Sequence, residues 1–381
     1  MTSPRPLIRA AGVVAAGLLA ACGGGDKDYI YIGVAGPLNS ANGESMRLSA
    51  EMAAREINDA NGIGGRLVKL VMLDDSASPN RALTVAEELR RNPEVVAVIG
   101  HLNSAASLKA ATVYNAPKGE QEGEPVVQIS PASSSADLTQ AGDWTFRVTP
   151  TDLEFSPVLA SWAAQRLGRR RAAVLYVNDE YGQGVHESFA RAFQRNGGSV
   201  VSADPFLAGT IKSGTELDPY LTRAMRRGAD ALVIGGQAEA GLRIIQAARR
   251  LGYTGPILGS DGLTGIKSGG PIAEGVFVSS AFLPDRPDTT AQRFVAAYRA
   301  QHGKLPDHRG AMTYDVMMLL RDAIRSSGTD RAAIRDYVAG VDEEHARRGV
   351  SGTIKFDKNG DVLGKEVAVG VVRNGQLVTA R

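Results

Sequence analysis

Two loops hold most of the chemistry this sequence can offer. The apolar run Val95–Ile99 opens into Gly100-His101-Leu102-Asn103-Ser104, and Val126–Ile129 opens into Ser130-Pro131-Ala132-Ser133-Ser134-Ser135-Ala136-Asp137. Each loop sets small hydroxyl residues and unpaired backbone N–H groups at the start of a following helix. The helix dipole and the free donors both favour negative charge there, so the pair suits an anionic group such as a carboxylate. Ser104, Ser134 or Ser135 could equally do no more than cap its helix, the usual work of serine at such a point.

Covalent and metal chemistry find less support. A serine hydrolase would need a base within hydrogen-bond reach of Ser104, and His101 is the only imidazole near it in sequence. No Gly-x-Ser-x-Gly elbow exists. Asp357-Lys358-Asn359-Gly360-Asp361 resembles a calcium loop, but its glycine is misplaced and the twelfth position is Ala368, so it reads as a turn. Gly235-Gly236 with Gly241, and the glycines from Gly259 to Gly270, lack both the dinucleotide and the phosphate-loop spacing. His302 and His308 flank a proline-containing loop and read as surface residues, and His186 as a helix residue. The single cysteine, Cys22, removes disulfides and multi-thiolate zinc sites. No catalytic residue, cofactor or metal is expected.

The elements that must position the two loops alternate. Tyr29–Ala35, Leu67–Leu73, Val95–Ile99 and Val126–Ile129 are short, apolar and largely β-branched, as buried strands are. Helices are predicted between them over about 44–60, ending at Asn61-Gly62, from Ser78-Pro79 onward, and over about 104–114. A second series follows Thr149-Pro150, with strands at Ala172–Val177, Val200–Ala203, Ala231–Ile234 and Ile257-Leu258. Helices at about 185–196, 217–227 and 239–251 separate these. After Phe282 the pattern changes to helices near 291–301, 309–326 and 331–338, then strands at Thr353–Phe356 and Val367–Val372, the last running into an Asn374-Gly375 turn. Two βαβ series in tandem imply an α/β fold of two similar lobes, each a parallel sheet between helices. The late segments imply that the chain crosses back between the lobes.

At 381 residues, 43% apolar and 22% charged, the chain is long enough for two domains and too apolar to be disordered. Its start looks like an address: Arg5 and Arg9 precede an apolar run from Ala10 to Ala21, too short to span a bilayer permanently. Leu19-Ala20-Ala21-Cys22 has the form of a bacterial lipobox, in which the cysteine is lipidated and becomes the first mature residue. Residues 1–21 are thus expected to be a signal peptide and residues 22–28 a glycine-rich tether. Removing Arg5 and Arg9 from the 43 basic residues leaves an exported body balanced against its 41 acids. Nucleic acid is therefore not an expected partner.

Ordered motifs along the body add a resemblance. Ile32-Gly33-Val34-Ala35-Gly36-Pro37-Leu38 comes first, then Glu56-Ile57-Asn58-Asp59-Ala60-Asn61-Gly62-Ile63-Gly64-Gly65. Ile99-Gly100-His101-Leu102, Ile129-Ser130-Pro131-Ala132 and Asn178-Asp179-Glu180-Tyr181-Gly182-Gln183-Gly184 follow. Gln246-Ala247-Ala248-Arg249-Arg250-Leu251-Gly252-Tyr253 and Thr313-Tyr314-Asp315 complete the series. Their order and spacing, from about Tyr29 to the C-terminus, resemble the type I periplasmic binding proteins, in the branched-chain amino-acid branch of ABC-transporter substrate-binding proteins.

That resemblance implies two lobes joined by a three-crossing hinge and closing on an amino acid. Residues 29–149 plus 282–349 would form lobe 1, and residues 150–281 plus 350–381 lobe 2, with crossings near Thr149-Pro150, Ala281-Phe282 and Val350-Ser351. It puts Ser104 and Ser134 on the ligand carboxylate, assisted by Ser133 and by backbone groups of Ala105 and Ala132. Asp261 would accept the ligand ammonium and Tyr181 would close over the ligand. Gln237 stands where the branched-chain binders carry an aromatic, so the side-chain pocket is expected to be more polar here. Asn103 replaces a cysteine of some members, and 116–124 is an added polar surface loop. The implied partners are a small zwitterion, an ABC permease and, through Cys22, a membrane, with the protein itself a monomer. A sensory receptor of the same fold is the alternative; an exported serine hydrolase is the distant one.

Overall fold

The computed structural model describes Met1 and residues 29–381, so the expected signal peptide, the expected tether and Cys22 lie outside the described residues. β1 (Tyr29–Gly36) is an inner strand of the first sheet, and the chain leaves it into α1 (Ala41–Asp59). Ser40 caps α1 by accepting from the Gly43 N–H at 3.3 Å. Met46, Ala50, Ala53 and Ile57 recur at helical spacing and bury one face of α1 in the first core. β2 (Leu67–Asp74), α2 (Pro79–Arg91), β3 (Val95–Gly100), α3 (Ser104–Tyr114), β4 (Gln128–Ser130) and β5 (Thr145–Arg147) complete this half. The five strands are all parallel, in the order β2-β1-β3-β4-β5. Each βαβ step therefore delivers its loop to the same sheet edge, which is where the two serine-bearing loops emerge.

The second half repeats the plan. α4 (Asp152–Ser161), β6 (Arg171–Val177), α5 (Glu180–Arg195), β7 (Ser199–Phe206), α6 (Asp218–Arg226), β8 (Ala231–Gly235), α7 (Ala238–Arg250), β9 (Ile257–Gly259) and β10 (Phe277–Ser280) follow in turn. Between β9 and β10 lies a 3₁₀ segment, Asp261–Ala273. Helices α8 (Thr289–His302), α9 (His308–Ser327) and α10 (Arg331–Ala339) then return to the first half, where α9 packs along α1. β11 (Arg347–Gly349) and β12 (Gly352–Ile354) make a small hairpin, and β13 (Ala368–Arg373) and β14 (Gln376–Thr379) close the chain.

Two expectations change here. The second sheet, ordered β14-β13-β10-β9-β8-β6-β7, is mixed and not wholly parallel, because β13 pairs antiparallel with β10 and β14 with β13. The two-residue turn Asn374-Gly375 that joins the last strands has positive φ at both residues (50° and 68°), the geometry a tight hairpin requires. The last crossing also moves. Ile354, Phe356 and Val362 pack in the first core, and Val367 against it, whereas Ala368 packs against the second core. The cause is Asp315 on α9, whose carboxylate accepts from the Val350 N–H at 2.6 Å and the Ser351 N–H at 2.9 Å and ties that stretch to the first half. By packing, the chain changes sides at Val367-Ala368, not at Val350-Ser351. The polar loop 116–124 is largely exposed, as expected, yet the buried Arg90 pins it by donating to the carbonyls of Ala116 and Gly123.

Candidate ligand-binding site

Between the halves lies a closed cleft, and the residues at its walls come from both. Ser104 and Ala132 line it from the first half; Tyr181, Gln237 and Asp261 line it from the second. Leu102, Asn103 and Arg309 complete the wall. The free volume left among them is only about 10 Å³, enough for about one water. An amino acid could enter only if the halves swing apart. A wider groove of about 720 Å³, bordered by Asn42 and Tyr298 on one side and Ala238 and Lys267 on the other, runs along the outside of the same junction.

The first wall is built from hydroxyls. Asn103 is the N-cap of α3, so Ser104 is the first residue of the helix and not its cap. Its Oγ accepts from the Ser135 N–H at 3.1 Å, which leaves the serine proton free to donate. Ala105 follows in the first turn, where a helix supplies no acceptor for the backbone N–H. Ser135 does cap a short 3₁₀ turn, accepting from the Asp137 N–H. Ser134 is fully buried with its Oγ unpartnered, and so are both carboxyl oxygens of the neighbouring Asp152. Burial, then the nearby Asp261 carboxylate, holds the Asp152 carboxyl well above the usual carboxylate range.

Not every expected residue faces the gap. Ser133 turns inward: its Oγ bonds Ser107 Oγ at 2.7 Å and its N–H donates to Ser130 Oγ at 3.0 Å, so neither group is left for a ligand. His101 is not a base for Ser104. Its Nδ1 bonds Asp75 Oδ2 at 2.7 Å and its Nε2 bonds the Tyr114 hydroxyl at 3.2 Å, all in the interior of the first half. His101 and Ser104 therefore form no base–nucleophile pair. The calcium-like loop is a turn: Asp357 Oδ1 accepts from the N–H groups of Asn359 and Asp361.

The second wall is charged. Asp261 is 3% exposed, with Oδ1 accepting from the Tyr181 hydroxyl at 3.2 Å and from Ser260 Oγ at 3.1 Å. Burial pushes its carboxyl up to about 6, against the opposing pull of the Arg309 guanidinium. Tyr181 in turn accepts from the Gly262 N–H at 2.8 Å. That contact needs glycine, since a Cβ on residue 262 would sit 2.4 Å from the tyrosine oxygen. Gln237 is the N-cap residue of α7 and makes no capping bond, which leaves its amide to the cleft.

Three residues not anticipated from sequence shape this site. His308, expected at the surface, is fully buried, and its Nδ1 lies 2.8 Å from Thr264 Oγ1. Thr264 already donates its proton to the Asp261 carbonyl, so His308 Nδ1 must carry the hydrogen. Burial and then Arg309 push the imidazole down to about 3, so it is neutral, and Nε2 is a bare acceptor 3.9 Å from Asp261 Oδ2. Arg309 reaches across the cleft to Gln237. Arg147, 1% exposed on β5, donates to the Ser135 carbonyl at 2.6 Å and pairs with Asp361 at 2.5 Å, bracing the serine loop from behind. Only the single-residue appearance of a charge inside a β-like run could have signalled Arg147.

Comparison with known proteins gives the family. A family model described as periplasmic binding protein matches residues 30–376. An amino acid binding protein of Pseudomonas aeruginosa is 28% identical over 345 residues, 87% of each chain. Among solved structures, an ABC transporter substrate-binding protein from Desulfitobacterium hafniense, in complex with Leu, is 30% identical with a TM-score of 0.78, covering 93% of this chain and all of that one. A leucine binding protein from Thermotoga maritima is 29% identical with a TM-score of 0.82, covering 92% and 98%. With a family match over nearly its whole described length, the chain belongs to the periplasmic binding proteins, an exported family of solute binders and not of enzymes.

Proposed function

We propose that this chain captures an α-amino acid between its two lobes and delivers it to the membrane permease of an ABC transporter, held at the membrane by a lipid on Cys22. The carrying observation is the meeting of Ser104 and Asp261 in one closed cavity. A zwitterion needs donors at one end and an acceptor at the other. The free Ser104 proton, the Ala105 N–H and the unpartnered Ser134 hydroxyl would take the carboxylate, with Ala132 beside them. Asp261 Oδ2 and His308 Nε2, two acceptors facing each other, would share the ammonium. Charge-assisted hydrogen bonds of this kind strengthen when closure excludes water. Tyr181 would act by holding Asp261 in place. The hinge would be the crossings near Thr149-Pro150, Ala281-Phe282 and Val367-Ala368, opening the lobes to admit the ligand.

Calorimetry and thermal shift with residues 22–381 test this reading. One or more amino acids should bind and raise the melting temperature, because a ligand for the folded state alone stabilises it. The matching amine without the carboxylate, and the matching acid without the ammonium, should both bind at least about 100-fold more weakly. Absence of binding by any amino acid, or equal affinity for the deaminated acid, would overturn it.

A further inference from the structure

We infer that the part of the cleft wall formed by Arg309 and Gln237 reads a hydrogen-bond acceptor on the ligand's side chain, so that the preferred amino acid ends in a carboxylate or carboxamide and not in a branched alkyl group. The inference rests on the amino-acid reading above and adds the class of side chain. Arg309, the second residue of α9, is 2% exposed and sits in the cavity wall. Its Nη2 donates to Gln237 Oε1 at 3.1 Å and to the Gly262 carbonyl at 3.2 Å, and its Nη1 to Thr264 Oγ1 at 3.0 Å and to Asp307 Oδ2 at 3.4 Å. These bonds use the two terminal nitrogens, while the Nε–H makes no hydrogen bond among the described residues.

The arginine also fixes its neighbour. A guanidinium can only donate, so Gln237 must turn its oxygen toward Arg309 and its NH₂ away from it. The Gln237 NH₂ finds no acceptor among the described residues. Asn103, on the opposite wall, makes no side-chain capping bond, and its Oδ1 is buried without a partner. The Arg309 Nε–H and the Gln237 NH₂ are thus unspent donors in this wall, and Asn103 Oδ1 faces them as an unspent acceptor. An alkyl side chain placed here would strip water from Arg309 and Gln237 and return nothing, and an unsatisfied buried polar group is costly. A terminal carboxylate or carboxamide oxygen would accept from both, and a carboxamide would also offer an N–H to Asn103. Aliphatic cover in the wall is limited to Leu102 and Ala132, with the Tyr181 ring beside them.

Arg309 could instead act only as a latch that draws the lobes together, and selectivity separates the two roles. Calorimetry on residues 22–381 would compare L-glutamate, L-aspartate, L-glutamine and L-asparagine with L-leucine and L-isoleucine. The best acidic or amide ligand should bind at least about 10- to 100-fold more tightly than leucine, the range set by one or two charge-assisted hydrogen bonds. Arg309→Met should lose that preference while leucine holds or gains, and Arg309→Lys should retain part of it for the acids. Gln237→Leu, on an exposed-edge helix start, should shift preference toward leucine even if the arginine variants fail to fold. Leucine binding best would overturn the inference and leave the amino-acid reading intact. Equal loss for every ligand in Arg309→Met would make the arginine a latch and also overturn it. No binding by any amino acid would remove the reading itself.

Discussion

The two walls of the cleft are built on opposite principles. On the first, neutral hydroxyls are wired to one another and to backbone: Ser104 to Ser135, Ser133 to Ser107, Ser130 to the His101 carbonyl, with Arg147 behind them. Most of that network is satisfied within its own half, so it stands whether or not the halves are apart. On the second, Tyr181 and Ser260 hold Asp261 from its own half, but the charge of Asp261 and the orientation of Gln237 answer to Arg309, which arrives from across the gap on α9. The difference assigns the walls different work. The hydroxyl wall is a preformed template whose bracing by Arg147, once lost, would show as lost stability, while the charged wall makes closure, affinity and pH dependence one problem.

The most damaging way to break that contrast is Asp261→Ala. A ligand ammonium would be left in a dry site with only a neutral imidazole, and losing one member of a buried charge pair costs about 3–5 kcal/mol, over 100-fold in Kd by calorimetry. Retained affinity would show that the second wall is not where charge is read. Arg147→Met should act on the other wall, lowering unfolding free energy by about 3 kcal/mol in a urea titration, because Asp361 loses its partner and two loop carbonyls lose their donor. Ligand affinity should fall by less than in Asp261→Ala; the reverse ranking would erase the distinction between template and charge.

Ser104→Ala sharpens it further. One hydroxyl donor to a carboxylate is lost, about 1.5–3 kcal/mol, with little change in melting because only the Ser135 N–H is stranded. The smallest effect per step is that of pH. The Asp261 carboxyl is raised to about 6 by burial, so its ionised form, the one that pairs with an ammonium, declines as pH falls below that value. Affinity should drop about tenfold per unit below pH 6 and level off above it. The same raised value means that ionising Asp261 costs folding stability, so the ligand-free protein should lose stability as pH rises from about 4 to about 6. Affinity that is flat across this window would remove Asp261 from the ammonium site.

Much of this architecture was legible because it is periodic. The helix over Ser104–Tyr114 and the N-cap at Ser78 coincide with the sequence reading, since small residues, proline and apolar spacing all mark the same positions. α4 was not legible: Pro157 lies inside it and its ten residues carry no clear apolar stripe. β5 has three residues, too few for any period. The site divides the same way. Ser104 and Asp261 announce themselves through loop position and motif, but Ser133 and Ser134 are adjacent, and the backbone sends one inward and leaves the other unpartnered. Arg309 and His308 carry no local signal, because what buries them comes from residues 237, 262 and 264, distant in the chain.

The placement of β14 has a consequence for how the molecule is made. It pairs with β13 and, after the chain's long return through α8–α10, completes a sheet begun at Arg171. The first sheet's helix α1 likewise waits for α9, which is synthesised only after the whole second series. Neither half is contiguous in the chain, so each core waits for a segment made after the other half has begun, the first for α9 and the second for β13 and β14. Such an interleaved order suits a polypeptide that must thread a membrane before it folds.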